Sequence, residues 1–494
     1  MPKKLPIFYS ALLLTLVNLL LRLVGTSFQV YLSSRIGAEG IGLLQLVMSV
    51  GSMAMVAGMG GIRTATMYLT AEELGRKRPG NARWVLSGSI LYSIFCSGAV
   101  AVGVTFFSPL IAQRWIGNSD TQDAIRLFAA FLPVNCLTGV MVGYFTGANR
   151  IGTLAAVEVA EQLCTMVCTV LLLTLWAGHD AERSCQAVIL GSGMGACLTL
   201  CSLVLLRLLE RMRPASRIPM AKRLAQTAIP LAIADDLRTG ITTVENLMVP
   251  RRLALYPGTL SPLAAFGTVC GMVFPVLTFP VSILFGLTEL LIPELARCRA
   301  AGSEMRVSYL VRKSLRVAML YGTLCGGVLF LNADALCFAL YQSQEAGQYL
   351  RWFSLLTVML YMDTVTDAMI KGLGQQRASV CYNIFTNILD VVFLYILLPK
   401  YGISGYFASF LVTHLINFVL SLRRLLKITR EKLPLSVPVL TIGAAALSVW
   451  AAHYLHQPLL RTGAFLTILL CLLFLLKILS KDDLLWIKGL IYKK

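Results

Sequence analysis

Residues 227–252 read TAIPLAIADDLRTGITTVENLMVPRR and decide how the rest of the chain is interpreted. A helix of about 20 residues crosses the hydrocarbon core of a bilayer, so this stretch is long enough to span a membrane. Its middle nevertheless carries ionisable side chains. On a helix, Asp235, Arg238 and Glu245 share one face with Thr242. A charge at mid-bilayer costs at least ~2.5–3.5 kcal/mol on insertion scales, which predicts that this face looks into protein or a water-filled cavity.

The composition places this stretch in a polytopic membrane protein. Of the 494 residues, 57% are hydrophobic and 14% are charged, whereas soluble domains carry about 25% charged residues. The net charge of +19 does not indicate nucleic acid, because the basic residues lie in short loops. Most cysteines lie inside apolar runs without a His or carboxylate cluster, which favours packing over metal binding. We therefore expect an all-α polytopic membrane protein without a cofactor or a bound metal.

The apolar runs predict about fourteen transmembrane helices. Their approximate bounds are residues 7–33, 41–68, 84–108, 124–147, 153–177, 185–209, 227–249, 263–292, 308–331, 351–372, 379–398, 402–422, 436–455 and 459–480. Most of the 43 lysines and arginines fall in alternate loops, and the basic side of such a protein is cytoplasmic. Both termini are then expected in the cytoplasm, and the protein in the cytoplasmic membrane. The loops of the other face are too short for a catalytic domain, so an enzyme is not expected.

The two halves of the chain are weakly similar. Arg22 in the first span and Arg35 just after it have the same spacing as Arg238 in the seventh span and Arg251 just after it. The longest inner linker, residues 207–226, is basic and contains two prolines. Two six-helix repeats in the same orientation are therefore predicted, and transporters often build their site near the midplane between such repeats. The predicted domains are an N-lobe at residues 1–217, a C-lobe at residues 218–430, and a peripheral helix pair with a cytoplasmic tail at residues 431–494.

Three arginines fall in the middle of predicted spans: Arg22, Arg63 and Arg238. Arginine binds phosphate through bidentate, charge-assisted hydrogen bonds and stays charged when desolvated, so a diphosphate is their natural ligand. The candidate substrate-binding residues are Arg22, Arg63, Arg238, Asn18, Gln29, Asp235 and Glu245. The alternative is that each arginine is neutralised by a carboxylate. Asp235 would then pair with Arg238 as a structural lock between helices, and Glu158 or Glu161 would pair with Arg22.

Carboxylates of the second half form another candidate group. Asp363 and Asp367 lie in the tenth predicted span and Asp390 in the eleventh. They are candidates for binding a coupling cation or proton, and the alternative is that they hold helices together. The glycines of residues 191–195 (GSGMG) superficially resemble a nucleotide-binding loop. They lie inside a predicted span, so helix packing by small residues is expected instead.

Several short motifs resemble one transporter family. They are residues 35–40 (RIGAEG), 61–65 (GIRTA), 71–76 (AEELGR), 245–252 (ENLMVPRR), 286–289 (GLTE) and 293–297 (PELAR). Together they resemble polysaccharide-type flippases of the multidrug/oligosaccharidyl-lipid/polysaccharide exporter superfamily, and within it stage V sporulation protein B-like proteins. The resemblance covers essentially the whole chain. It implies two six-helix lobes in a V around a central cavity. Lipid II flippases, a related branch, use cavity arginines on early helices, where Arg22 and Arg63 stand here.

The resemblance implies a flippase that moves an undecaprenyl-diphosphate-linked oligosaccharide or peptidoglycan precursor from the inner to the outer leaflet by alternating access. Its partners would be the lipid bilayer, the lipid-linked sugar and a coupling cation. The leading alternative is a cation-coupled multidrug exporter of the same architecture, which Asp235, Asp236 and Glu245 keep open. Two further alternatives are a membrane-embedded glycosyl- or acyltransferase and a structural scaffold of a division or sporulation complex.

Overall fold

The computed structural model describes residues 7–76, 79–178, 180–209, 221–258, 261–431, 436–455, 457–476 and 478–479, and the side chains of residues 7–18 lie outside this description. The regular structure of these ranges is helical. The α-helices are α1 (Ile7–Met59), α2 (Ile62–Gly75), α3 (Pro79–Leu110), α4 (Gln122–Gly147), α5 (Ile151–Leu172), α6 (Ala181–Leu208), α7 (Ala221–Leu253), α8 (Pro262–Thr268), α9 (Phe274–Thr278), α10 (Val281–Ala300), α11 (Glu304–Tyr341), α12 (Gln344–Ser354), α13 (Thr357–Gly372), α14 (Gln376–Tyr401), α15 (Ile403–Thr429), α16 (Ser436–His453) and α17 (Pro458–Leu475).

The described helices group into two compact units. Unit 1 comprises Met1–Gly271 with Leu394–Gly402, and unit 2 comprises Met272–Phe393 with Ile403–Lys494, each within its described residues. Unit 1 thus contains α1 to α8, and unit 2 contains α9 to α13 and α15 to α17 with most of α14. The lobe boundary predicted between residues 217 and 218 stays a prediction.

Glycines determine where the first helices of unit 1 change direction. Gly37 adopts φ 78° and ψ 173° inside α1, so α1 consists of two helices joined at this kink. Gly60 and Gly61 then adopt φ 49° and 67°, which end α1 and start α2. Residues with a Cβ rarely adopt this left-handed region. The two spans predicted for this part of the chain are thereby separated at Gly37.

Small residues allow the helices of unit 1 to pack closely. A Cβ added to Gly143 of α4 would lie 2.4 Å from the carbonyl oxygen of Arg63. Added Cβ atoms at Gly191 and Gly195 of α6 would lie 2.1 Å and 2.0 Å from threonine hydroxyls of α5. The prediction that residues 191–195 serve helix packing is confirmed.

Unit 2 is built around α11. Its buried residues Val311 and Ala318 pack with Tyr361 and Met369 of α13 in one apolar core. On another side, the ring of Phe465 from α17 is fully buried and would meet a Cβ added to Gly327 at 2.1 Å. The C-terminal helix pair α16–α17 is therefore seated on α11.

Ten helical segments among the described residues are long and apolar enough to cross a membrane, and two bent helix pairs raise the number to twelve. The bent pairs are Pro262–Thr278 with Val281–Thr288, bent by 57°, and Gln344–Ser354 with Thr357–Gly372, bent by 56°. The predicted number of about fourteen is higher for two reasons. Leu19–Gly75 counts once although Gly37 divides it, and the charged α7 is too polar to be counted.

Candidate functional site

The charged stretch of residues 227–252 lies within one continuous helix, α7, in unit 1. Asp235, Arg238 and Thr242 are exposed and Glu245 is half-buried. The Thr242 hydroxyl donates to the Arg238 carbonyl at 3.3 Å. Among the side chains that the structure describes, Asp235 and Arg238 form no ion pair. The Asp235–Arg238 lock, which was the structural alternative, is therefore not formed.

Contacts with α1 and α2 position this charged helix. Thr243 Oγ1 donates to the Ser49 carbonyl at 3.1 Å, and Asn246 Nδ2 donates to Ser49 Oγ at 2.9 Å. Farther toward the start of α7, a Cβ added to Gly61 would lie 2.3 Å from the carbonyl oxygen of Ala228. The middle of α7, with Arg238, thus lies between two points fastened to α1 and to the α1–α2 break.

Arg63 lies in the first turn of α2, directly after that break, and its side chain is exposed. Within the described part of the chain, Arg63 forms no ion pair. Glu158 of α5 is half-buried and interacts electrostatically with both Arg63 and Glu161. The guanidinium of Arg63 is therefore exposed, with the carboxylate of Glu158 at longer range.

Arg22 lies on α1 beside α5. Its side chain is half-buried, and a Cβ added to Gly25, one turn along, would lie 3.2 Å from Gln162 Nε2 of α5. Glu161, on the same helix, accepts a hydrogen bond from Thr199 Oγ1 at 2.8 Å.

Two further candidates lie on α1. Gln29 Nε2 donates to the Gly271 carbonyl at 3.4 Å. The side chain of Asn18 lies outside the described residues. Unit 1 thus places the candidate substrate-binding residues on α1, α2 and α7, with α5 beside them. That the three arginines line one hollow stays a prediction.

The structure also shows an ionic cluster that the sequence analysis missed, at one end of α2 and α7. Glu73 is 1% exposed and accepts hydrogen bonds from Arg223 Nη1 at 2.8 Å and Asn81 Nδ2 at 2.8 Å. Arg223 Nη2 also binds Glu72 at 2.8 Å, and Arg76 pairs with Glu72 at 2.7 Å. One arginine of α7 therefore bridges two adjacent carboxylates of α2, and Arg76 supplies a second positive charge to the cluster.

A polar seam runs between α13, α14 and α15 in unit 2. Asn417 Nδ2 donates to Asp363 Oδ2 at 3.0 Å and to Asn383 Oδ1 at 3.4 Å. Ser379 donates to Asp367, which is also paired with Lys371 at 2.6 Å. Two of the three predicted coupling-ion residues therefore belong to this seam.

The third coupling-ion candidate, Asp390, is 6% exposed. Its Oδ1 accepts hydrogen bonds from Ser409 at 2.5 Å and Thr413 at 3.2 Å. These hydroxyls and Asn417 were not singled out from the sequence, although their spacing of four residues along α15 places them on one helical face. That periodicity is the signal that would have found them.

Unit 2 also contains a large apolar groove, with a volume of about 920 Å³, formed by α11, α12, α13, α15 and α16. Its lining includes Phe330, Met359, Leu415, Phe418, Ile442 and Trp450. Charged side chains are absent among the described residues that line it. Such a groove suits an aliphatic chain and would repel a charged head group.

Two family profiles match consecutive parts of the chain. The profile described as "Polysaccharide biosynthesis protein" matches residues 8–248, and the profile described as "MatE" matches residues 255–396. The chain belongs to the multidrug/oligosaccharidyl-lipid/polysaccharide exporter superfamily. It is a membrane transporter and not an enzyme. The family resemblance drawn from the short motifs is confirmed.

Relatives within the superfamily include two proteins of Bacillus subtilis (strain 168). Stage V sporulation protein B is 22% identical over 411 residues, which cover 80% of this chain and 79% of that protein. Sporulation protein YkvU is 20% identical over 383 residues, which cover 74% of this chain and 82% of that protein.

Solved superfamily structures share the fold. The lipid II flippase MurJ in an inward closed conformation matches with a TM-score of 0.70 at 12% identity, covering 93% of this chain and 98% of that chain. An inward-facing multidrug resistance MATE family transporter matches with a TM-score of 0.65 at 14% identity, covering 85% of this chain and 100% of that chain. The prediction of an all-α polytopic membrane fold of this type is confirmed.

Proposed function

We propose that this transporter is a flippase that moves a polyprenyl-diphosphate-linked oligosaccharide or peptidoglycan precursor across the cytoplasmic membrane. The observation that carries the proposal is the exposure of Arg63 and Arg238 without an ion pair among the described side chains. Guanidinium groups within a membrane are costly unless they meet water or an anion. Two such groups on neighbouring helices suit a doubly charged head.

Arginine is well suited to a diphosphate in this setting. Its planar fork offers parallel N–H donors to phosphate oxygens, and the group keeps its charge when water is removed. Arg22 would add a third cation on α1, with Asn18 and Gln29 as neutral hydrogen-bonding partners for the sugar. Asp235 and Glu245 would accept hydrogen bonds from sugar hydroxyls, because ionised carboxylates are acceptors only.

The apolar groove of unit 2 supports the lipid part of the proposed substrate. Its volume of about 920 Å³ and its uncharged lining match the chemistry of a polyprenyl chain. Burying such a chain gains roughly 0.8 kcal/mol per methylene group. The diphosphate head and the hydrocarbon tail would therefore bind to different parts of the transporter.

Transport would follow alternating access between inward-open and outward-open states. The substrate must bind both states comparably, because a ligand shifts a conformational equilibrium only through its differential affinity. We propose cytoplasmic termini, as the bias of lysine and arginine among the loops predicts.

Reconstitution into vesicles tests the proposal. Purified protein would be inserted into vesicles that contain a fluorescent prenyl-diphosphate sugar, and an added impermeant quencher would report the outer-leaflet fraction. We expect the protein to speed exchange between leaflets, and Arg63→Gln and Arg238→Gln to slow it. An exchange rate equal to that of protein-free vesicles would contradict the proposed function.

A cation-coupled multidrug exporter is the second candidate, and Asp235 favours it, because it is exposed and forms no ion pair among the described side chains. A free carboxylate in a membrane helix suits an organic cation as well as a sugar hydroxyl. Drug-sensitivity assays on an expressing strain discriminate the two. Resistance to organic cations that is lost in Asp235→Asn would favour the exporter, whereas unchanged sensitivity would favour the flippase.

A further inference from the structure

A small polar pocket lies at one end of the unit 2 helices, where α10 ends and α11 begins. Its volume is about 230 Å³, and the ends of α13 and α15 complete its walls. The polar side chains that line it are Arg299, Ser303, Glu304, Ser308, Thr429 and Arg430. None of them is a candidate substrate-binding or coupling-ion residue, so the pocket is a separate feature of the transporter.

Two arginines give this pocket positive charge. Within the described part of the chain, neither Arg299 nor Arg430 forms an ion pair. Arg299 Nη1 donates to the carbonyl of Leu373, at the end of α13, which uses one of the several N–H donors of the guanidinium. This contact fixes the guanidinium of Arg299 beside the pocket.

Carboxylates on the neighbouring stretches of chain are held by other arginines. Glu294 of α10 binds Arg306 at 2.7 Å. Glu431, which directly follows Arg430, pairs with Arg312 at 3.5 Å. These two acids therefore do not neutralise the arginines of the pocket.

The backbone at Arg430 adopts an unusual conformation. Its φ is 54°, in the left-handed region, and it directly follows Thr429, the last residue of α15. Glycine or asparagine usually occupies this position after a helix, because a residue with a Cβ is strained there. The end of α15 therefore does not itself require an arginine at this position.

The pocket also carries a negative charge and two hydroxyls. Glu304 lies in the first turn of α11, is exposed, and forms no ion pair among the described side chains. Ser303 is the N-cap residue of α11, but its hydroxyl does not cap the helix. Ser308 likewise forms no side-chain hydrogen bond within the described residues. Groups of both charge signs thus line one small volume without pairing with each other.

We propose that this pocket binds an ethanolamine phosphate group, in which a phosphate is joined to a primary ammonium. Arg299 and Arg430 would bind the phosphate through charge-assisted hydrogen bonds. The start of α11 also favours an anion, because its first N–H groups have no partner within the helix. The ammonium, which only donates hydrogen bonds, would bind the carboxylate of Glu304. One zwitterionic ligand satisfies both charge signs, whereas Glu304 would repel a simple phosphate.

The surroundings favour a membrane lipid as the source of this group. Met305 and Tyr309 lie one turn apart at the start of α11 and are 86% and 46% exposed. Exposed tyrosines at the end of a membrane helix typically lie at the level of the lipid head groups. The head of a phosphatidylethanolamine would occupy the pocket while its glycerol part lies beside these two side chains. Free phosphoethanolamine has the same head-group chemistry, and the test below distinguishes the two sources.

Calorimetric titration of the purified full-length transporter in detergent tests the chemistry of the ligand. The probes are dihexanoyl phosphatidylethanolamine, dihexanoyl phosphatidylglycerol and free phosphoethanolamine. We expect the ethanolamine lipid to bind about tenfold more tightly than the glycerol lipid, because only the former offers an ammonium to Glu304.

Variants of the two arginines test the phosphate contacts. Arg299→Gln and Arg430→Gly should each weaken binding of both lipids by about tenfold. Arg297→Gln is the matched control and should bind as the wild type does, because Arg297 is an exposed arginine of α10 that pairs with Glu294 at 3.8 Å. Arg430→Gly should melt no lower than the wild type, since glycine relieves the strained φ. A loss of binding in this variant would then not come from misfolding.

Exchange of Glu304 tests the ammonium contact separately. Glu304→Gln should weaken binding of the ethanolamine lipid and strengthen binding of the glycerol lipid, because it removes both an attraction and a repulsion. The preference between the two lipids should therefore disappear. Equal affinity of the wild type for both lipids, unchanged in Glu304→Gln, would overturn the zwitterionic ligand.

The remaining outcomes also decide the proposal. Absence of binding by both forms of ethanolamine phosphate would overturn it, and so would equal affinity of the wild type and Arg430→Gly. Tighter binding of the lipid than of free phosphoethanolamine supports a membrane source, and equal affinity supports the same pocket with a soluble ligand. None of these measurements involves transport, so a failure of the proposed flippase activity would leave their result standing.

Discussion

Residue chemistry explains why arginine at residues 63 and 238 suits a phosphate ligand. Both side chains are exposed, and neither forms an ion pair within the described part of the chain. Asp235 lies only three residues before Arg238. It is also exposed and does not pair with this arginine. Positive charge placed inside a membrane carries an energetic cost, which a bound anion would offset.

Substitutions of Arg238 distinguish the effect of its positive charge from that of its bidentate hydrogen-bonding geometry. Arg238→Lys keeps the positive charge but loses the bidentate fork, so we expect an intermediate loss of leaflet exchange, and Arg238→Ala should lose more. The measurement is the initial exchange rate in vesicles at matched protein density. Arg183→Ala is the control, because Arg183 is an exposed arginine of unit 1 that pairs with Asp180 at 3.6 Å. Equal rates for Arg238→Ala and Arg183→Ala would argue against a role for Arg238 in binding.

At the scale of elements, α7 is fastened at one end by a single arginine. Arg223 binds Glu73 and Glu72, and Glu73 has only Asn81 as a further hydrogen-bond partner among the described contacts. Arg76 interacts electrostatically with Glu73 and already pairs with Glu72. It could neutralise the carboxylates partly if Arg223 moved away. The cluster therefore holds α7 against α2 and still allows the two helices to separate.

Removing this attachment should loosen the start of α7. We expect Arg223→Ala to destabilise the protein by about 1–3 kcal/mol, because the buried carboxylate of Glu73 loses its ion pair. The effect stays in this range because the site is partly open to solvent. Hydrogen exchange of residues 221–229 should rise, while Arg76→Ala, which leaves Glu73 paired, should change it little. If both variants exchange alike, Arg223 is not what holds this end of α7.

Helix contacts through glycine give a second prediction for elements. Gly143→Ala would place a Cβ 2.4 Å from the carbonyl oxygen of Arg63, so α2 and α4 would have to separate. Overpacking of this kind typically costs about 1–3 kcal/mol. Gly98→Ala on α3 is the matched control, because its Cβ would meet no atom within 4 Å. Thermal unfolding in detergent should distinguish them, and a Gly143→Ala melting temperature equal to that of Gly98→Ala would refute the close packing.

The sequence predicted the helices and their local features better than it predicted which side chains pair with each other. The unusual charges of residues 227–252 and the small residues of α6 could be read directly, because helical periodicity and membrane energetics constrain them locally. The pairing of Arg223 with Glu73 could not, since 150 residues separate them and several other carboxylates were available. Asn417 was missed for the same reason, because it lies 54 positions along the chain from Asp363. Which of several distant side chains pair with each other is determined by tertiary packing and not by the local sequence pattern.

At the scale of the whole molecule, each compact unit contributes a different chemistry. Unit 1 carries Arg63 and Arg238, which form no ion pair among the described side chains, on helices that also bear carboxylates. Unit 2 carries an uncharged groove of about 920 Å³ and a polar seam. An amphiphile with an anionic head and a long hydrocarbon tail needs both environments. This division supports a lipid-linked substrate over a compact organic cation, which would need only an acidic pocket.

The proposed membrane orientation is testable by reporter fusions. Green fluorescent protein at the C-terminus should fluoresce, because it folds in the cytoplasm, and alkaline phosphatase fused after Tyr401 should be active outside. The bias of basic residues predicts this arrangement. Inactive phosphatase at Tyr401 together with a non-fluorescent C-terminal fusion would indicate the opposite orientation and contradict the proposal.

The most direct test of the central claim is the affinity of purified protein for a short-chain prenyl diphosphate, measured by isothermal titration calorimetry. Removing a charge-assisted hydrogen bond costs about 1.5–3 kcal/mol, so the double variant Arg63→Gln/Arg238→Gln should bind at least about tenfold more weakly than the wild type. Arg183→Gln should bind as the wild type does. Equal affinity of the wild type and the double variant would show that these two arginines do not hold the anionic head.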